Sequence, residues 1–485
     1  MKAALILLAA LATPAAAQPV AETRFEAAAA HTLELAQATR QAPGAPPALA
    51  VVMVREGAPP MVWVEGEARS GVAADAATPF PVASLAKTFT AALSRRPAVQ
   101  ATFPDGLALA EVWPEAAVDG VNLTVVTNRD LLDHTAPLAS GPMTLRAFFV
   151  SPPEPDAALR LLDQATEARE PGFGYANLGY ILWAAGLERR TGHSWIDWLE
   201  TEIIQPLGLE DSGASPTTAA RMASGHVWDG ERQIAWPYDD PQLMNAAGGL
   251  GLSARDGASW MLAHMGAGWV EDGAVPVELA IGGSQCHAYR LGWYLCRRGE
   301  TRVLATAGGY PGVRSALIVA PETGIGVLVM VNGEAGAGWL AQSLADAFMD
   351  QALGALVQTL GPEAFRNEFA RRAAQAGEGR RTRLQQGLED PSWQGWTWSP
   401  DAQTLAAYAG GWCSPWFGEM RLTLEGDALH GRMGAWRAAL RPAAPGLFGA
   451  VVNEAEPPQL LTIDPAAGTL DWAGFPFTRC TNGGA

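Results

Sequence analysis

Phe80-Pro81-Val82-Ala83-Ser84-Leu85-Ala86-Lys87-Thr88-Phe89-Thr90 is the stretch on which the reading of this chain turns. A proline turn runs into an alanine-rich apolar segment, the pattern of a buried helix that begins near Ser84. Ser84 and Lys87 stand three residues apart, so a helix puts a hydroxyl and an amine on one face near its N-terminus. Of the 33 basic residues, only Lys2 and Lys87 are lysines. Arginine stays protonated in proteins, whereas a buried lysine can give up its proton and act as a base. Ser84 and Lys87 therefore read as an activated nucleophile rather than an N-cap with a solvated amine.

Upstream of this stretch, residues 1–17 read as a secretory signal. Lys2 is the positive start, Ala3 to Ala12 the apolar core, and Ala15-Ala16-Ala17 a small-residue cleavage site. The apolar run is too short to span a bilayer, and no later stretch reads as a membrane helix. The expected location is secreted or periplasmic. A net charge of −17 argues against nucleic acid or anionic lipid as partners. Four cysteines in an exported chain suggest two disulfides. Cys286 and Cys296 flank an apparent hairpin, and Cys413 and Cys480 bracket the C-terminal region, so each is expected to pair with its near neighbour. The alternative pairings would tie those regions together. There is no Cys-x-x-Cys and no His-Glu-x-x-His, and neither metal nor organic cofactor is expected.

Periodicity predicts a helix over 21–38 and strands over 48–55 and 61–67, joined by Glu56-Gly57-Ala58-Pro59-Pro60. Residues 97–127 read as irregular, 128–134 as a short helix capped by Asn128, and 137–156 as proline-rich loop. Helices are expected over 156–167, 178–190, 195–204, 250–265 (after a Ser253 cap) and 338–360. Strands are expected over 289–296, 302–305, 315–320 and 326–332. This is an α+β pattern: an antiparallel sheet flanked by terminal helices, plus an all-helical subdomain. A charged helical linker covers 361–402, with a Pro/Trp-rich boundary at 391–400. A small β domain, barrel or sandwich, follows over 403–485, with strands at 420–424, 428–433, 459–463 and 470–480. The hydrolase domain itself is placed at 18–360. The tryptophans at 393, 396, 398, 412 and 416 read as barrel core or domain interface before they read as a ligand groove.

Ser84-Leu85-Ala86-Lys87 is followed by Tyr175-Ala176-Asn177, in the context Pro171-Gly172 and Asn177-Leu178-Gly179-Tyr180, and by Thr306-Ala307-Gly308-Gly309. Leu131-Leu132-Asp133-His134-Thr135, Gln205-Pro206-Leu207-Gly208-Leu209 and Ala247-Gly248-Gly249-Leu250 complete the set. Together these resemble the serine β-lactamase and penicillin-binding protein superfamily, in its class C β-lactamase-like branch of serine hydrolases, over residues 21–355. The resemblance implies an acyl-enzyme on Ser84, with Lys87 and Tyr175 as catalytic partners. It implies Asn177, Thr306, Gly308 and Gly309 on the substrate and oxyanion side. It also implies a small ester, peptide or β-lactam substrate. Tyr175, held as a phenolate by Lys87, is the expected base, and the backbone N–H groups of Ser84 and Gly309 are the expected oxyanion donors. Thr306 departs from the pattern, because a lysine or histidine is usual there. Arg314, eight residues later, is a possible substitute cation. His134 reads as structural, since no Gly-x-Ser-x-Gly elbow surrounds Ser84. A second reading is a catalytically weak homologue that binds cell-wall peptide or a protein partner.

Overall fold

The first strand, Ala48–Arg55, is apolar on both faces and carries no alternation, so it belongs in the middle of a sheet covered on both sides. The computed structural model, which describes residues 20–237, 242–265, 273–355 and 360–480, puts it there. The expected signal, residues 1–17, lies outside the described residues. Ala48–Arg55 pairs antiparallel with Met61–Arg69 on one side and Ile325–Val331 on the other. Beyond Ile325–Val331 the sheet continues through Val313–Ala320, Thr301–Tyr310, Trp293–Arg298 and Ser284–Arg290 to the edge strand Val275–Ile281. With Val72–Ala73 at the far edge, nine strands form one antiparallel sheet.

The two faces feed two cores. Leu49, Val51 and Met53 face the terminal helices Glu22–Arg40 and Ala337–Leu353, which meet where Phe25 packs edge-on against Phe348. Ala50, Val52 and Val54 face the helical region, which includes Ala86–Ser94, Asn177–Thr191 and Ala254–Ala263. The candidate residues lie between this sheet and the helical region.

Several local expectations are corrected. Residues 137–156 hold a helix, Gly141–Phe149: Ser140 caps it by accepting from Met143 N–H, and Pro142 sits in the first turn, where a missing N–H costs nothing. The cap of the 128–132 helix is Thr127, not Asn128, in a reciprocal box with Asp130. Residues 97–127 hold two short helices, Pro97–Thr102 and Leu109–Val112. The 156–167 helix ends at Gln164, and Glu167–Ala168 pairs with Leu138–Ala139. The 250–265 segment opens as a strand, Gly251–Ser253, before its helix starts at Ala254. Residues 289–296 are not one strand: Leu291 and Gly292 take φ +49° and +83° and turn the chain back. The last helix of the sheet region ends at Leu353; of its expected remainder, 356–359 lie outside the described residues.

After the helix Pro362–Leu388, eight strands from Gly410 to Arg479 close into a barrel. This resolves the barrel-or-sandwich alternative, and the expected strand over 470–480 is two strands joined at 473–474. Closure pairs Gly410–Ser414 with Phe475–Arg479 and removes the open edges of a sandwich. Trp412 is buried in the barrel, while Trp393 stacks on Trp396 at 4.6 Å outside it. The barrel leans on the rest of the chain. The Trp416 carbonyl accepts from Arg146 at 2.9 Å, and Ala435 N–H donates to the Val150 carbonyl. Arg380 of the long helix grips both Glu334 and the barrel's Glu456. Both disulfides join near neighbours, Cys286 to Cys296 and Cys413 to Cys480.

Candidate active site

The chain enters the site through strain. Ala83 takes φ +49°, a left-handed conformation that costs a residue with a Cβ on the order of 1 kcal/mol. It turns the backbone from the strand Pro79–Pro81 into a single 3-10 turn, Ala83–Leu85, and the α-helix proper starts at Ala86. Ser84 thus sits on the lead-in turn rather than on the helix expected from sequence. The Val82 carbonyl anchors this turn by accepting from Ser315 Oγ at 2.8 Å and from Leu85 N–H. Gly308 lies against the same carbonyl. A Cβ there would come within 2.0 Å of the Val82 oxygen, so only glycine lets the Thr301–Tyr310 strand close on the turn.

Lys87 is 1% exposed. Its Nζ donates to Ser84 Oγ at 3.2 Å, to Asn177 Oδ1 at 2.8 Å and to the Ala247 carbonyl at 2.6 Å. Those three acceptors match the three protons of an ammonium. Burial nevertheless dominates, and it brings the Lys87 amine down from 10.5 to about 7. Tyr175 goes the other way: burial pushes its phenol up to about 12, against a hydrogen bond with Ser84 that lowers it. Tyr175 as a residue keeps 44% of its surface in solvent, but its hydroxyl is crowded by protein, and the surroundings of the hydroxyl set the pKa. Lys87 Nζ lies 5.0 Å from the Tyr175 ring centroid, over the ring face.

His134 supports this loop from behind. It takes φ +60°, and its carbonyl accepts from Gly174 N–H and from Arg169. Its Nδ1 accepts from Ala176 N–H at 3.3 Å, and its ring lies 4.4 Å from that of Tyr175. Burial and the nearby Lys87 hold the imidazole well below its ordinary pKa, which keeps Nδ1 free to accept. Next to it, Asp133 is buried against Arg290 and also accepts from Leu291 N–H. Burial raises this carboxyl to about 6, although Arg290 pulls it down. The pair fixes the 291–292 turn, where Gly292 lies so close to the Lys87 and Thr88 backbone that a Cβ would meet it at 2.8 Å.

Ser84, Lys87, Tyr175 and Thr306 line one pocket of about 240 Å³. Asn177 reaches it through Lys87. Gly309 is placed by ladder geometry. Tyr310 and Val313 close a tight turn, and alternation along the ladder points the Gly309 N–H away from the Val313–Ala320 strand. On the other side, Trp293–Arg298 pairs only as far as Ala305, so the edge at Gly309 is open. Arg314 does not stand in for a cation at Thr306. It lies on the opposite sheet face, bonded to the Tyr310 and Val313 carbonyls and to Glu334. Among the described residues, no cluster of three or more His, Cys, Asp or Glu could hold a metal.

Residues 35–347 match the family described as Beta-lactamase. The chain belongs to the beta-lactamase family. This beta-lactamase-family chain is 26% identical over 330 residues to penicillin-binding protein 4 of Amycolatopsis lactamdurans, covering 61% of the chain and 82% of that protein. D-amino acid amidase of Ochrobactrum anthropi SV3, solved with D-phenylalanine, superimposes with a TM-score of 0.54 at 20% identity, over 68% of this chain and 99% of the amidase. The octameric penicillin-binding protein homologue of Pyrococcus abyssi gives 0.56 at 16% identity, over 94% of this chain and 99% of its own. These structural likenesses speak to the fold. Sequence reasoning missed the Ala247 carbonyl, and it read His134 as structural without identifying the loop it supports. Both lie in stretches that sequence had singled out, but only for their resemblance.

Proposed function

We propose that this member of a serine hydrolase family is an exported enzyme that forms an acyl-enzyme on Ser84 and hydrolyses an ester, a D-amino-acid amide or peptide, or a β-lactam. The observation that carries the proposal is a lysine buried 3.2 Å from a serine hydroxyl with its pKa near 7. At neutral pH about half of such amines hold a free lone pair, whereas a phenol near 12 holds its proton. This order favours Lys87 over a Tyr175 phenolate as the resting base. Lys87 takes the Ser84 proton, directly or through the Tyr175 hydroxyl, and Oγ bonds to the substrate carbonyl carbon. The N–H groups of Ser84 and Gly309 receive the oxyanion. The C–O or C–N bond breaks as Tyr175 gives its proton to the leaving group, and Lys87 restores that proton. Water then attacks the ester on Ser84 by the same route.

Export is supported by the signal-like start and by the disulfides; no described helix is long and apolar enough to cross a membrane. The proposed division is a hydrolase domain to residue 360, a helical linker to 402 and the barrel domain beyond. An active-site fluorophosphonate or a fluorescent penicillin should label the wild type and not Ser84→Ala; equal labelling of both would end the proposal. The uncharged Thr306 favours a second reading, in which the acyl-enzyme turns over poorly and the protein serves to bind cell-wall peptide or a protein partner. Turnover of a p-nitrophenyl ester separates the two.

A further inference from the structure

The far wall of the Ser84 pocket comes from the outer strands of the sheet. Leu279 and Ile281 of Val275–Ile281, Tyr289 of Ser284–Arg290 and Tyr294 of Trp293–Arg298 line it, and Leu279, Ile281 and Tyr294 also pack against the terminal-helix core. Among the described residues that line the pocket there is no aspartate, glutamate, histidine or arginine. Lys87 is the cation present, and its donors are taken by Ser84, Asn177 and Ala247. Arg169 bonds through its terminal nitrogens to the carbonyls of His134, Glu170 and Gly172 and is not one of the pocket's lining residues. A substrate carboxylate or ammonium entering this pocket would lose water and find no counter-charge among the described residues that line it. At about 240 Å³ the pocket is smaller than the roughly 300–1,000 Å³ that enclose drug-sized ligands.

We infer that the pocket selects an uncharged, apolar group beside the scissile bond, and that Leu279 and Ile281 set this selectivity. The substrate class is then a neutral alkyl or aryl ester or amide, without a free carboxylate or ammonium on the group that enters. The inference rests on Ser84 being the nucleophile.

The test compares two p-nitrophenyl esters, butyrate and hemisuccinate, whose four-carbon acyl chains differ in ending in a methyl or a carboxylate. For the wild type, kcat/KM for the hemisuccinate should be roughly 10- to 100-fold lower. Leu279→Arg and Ile281→Arg stand on a partly exposed edge strand, and each should raise the hemisuccinate-to-butyrate ratio at least about tenfold. Should an arginine variant fail to fold, Leu279→Thr should reduce turnover of p-nitrophenyl butyrate more than that of p-nitrophenyl acetate, whose acyl chain is two carbons shorter. Should neither ester turn over, protection of Ser84 from a fluorophosphonate by each ester reads the same preference. Equal kcat/KM, equal protection, or a ratio unmoved by folded variants overturns the inference while fluorophosphonate labelling of Ser84 persists. Loss of that labelling in the wild type removes the nucleophile and the inference with it.

Discussion

The amine of Lys87 gives the most exacting test, because its environment fixes both a midpoint and a sign. Moving the pKa from 10.5 to about 7 favours the neutral amine by roughly 5 kcal/mol. If the neutral amine is the base, acylation should follow its population. With a midpoint at 7, that population rises about 90-fold between pH 5 and pH 8 and then levels off. The assay is the pre-steady-state burst of p-nitrophenol at saturating ester, measured across pH 5–9, so that deacylation does not enter. Lys87→Arg holds its proton throughout, so it should lose roughly 10²- to 10⁴-fold at pH 8 and show no such rise with pH. Asn177→Leu keeps the volume but removes an acceptor from the ammonium. That disfavours the charged form and should move the midpoint below that of the wild type. A rate that is flat from pH 5 to 8, a midpoint near 10, or an arginine variant with normal bursts would each refute the assignment.

Three further outcomes follow from neighbouring contacts. Lys87→Met should raise Tm near pH 7 and less so near pH 10: an amine held at 7 in the fold and 10.5 in the unfolded chain costs most at and below neutrality, and thermal scans at the two pH values read the difference. His134→Asn keeps a residue tolerant of φ +60° and an acceptor for Ala176, whereas His134→Val keeps neither. Burst rates should fall well below tenfold for the first and at least about tenfold for the second, with KM nearly unchanged. Arg290→Met leaves the buried Asp133 carboxylate without its partner, and urea titration at pH 8 should show a loss of about 3–5 kcal/mol.

The parts of this protein that were legible in sequence are those whose signal is local. Ser84 with Lys87 and Tyr175 with Asn177 each occupy a few consecutive residues, and the structure brings the four together at one buried amine. The Cys286–Cys296 pair was readable because it straddles a hairpin. What stayed hidden depends on tertiary surroundings. The Gly141–Phe149 helix looks like loop because Ser140, Gly141 and Pro142 are turn formers that also happen to suit a capped start. The edge strand Val275–Ile281 was missed because Pro276 and Glu278 dilute its pattern, as an edge permits. That Lys87 rather than Tyr175 has the accessible pKa comes from burial, which no spacing reports.

The sheet's layout has a consequence for how the chain is made. Ala48–Arg55 is among the first strands to leave the ribosome, yet one of its two hydrogen-bonding edges is completed only by Ile325–Val331. At translation rates of about 5–20 residues per second, that apolar edge waits roughly 14–55 s for its partner. Throughout that interval Val51, Val52 and Met53 offer a sticky, unpaired template to any other nascent strand. The yield of this protein should therefore depend on what shields those residues during synthesis as much as on the stability of the finished fold.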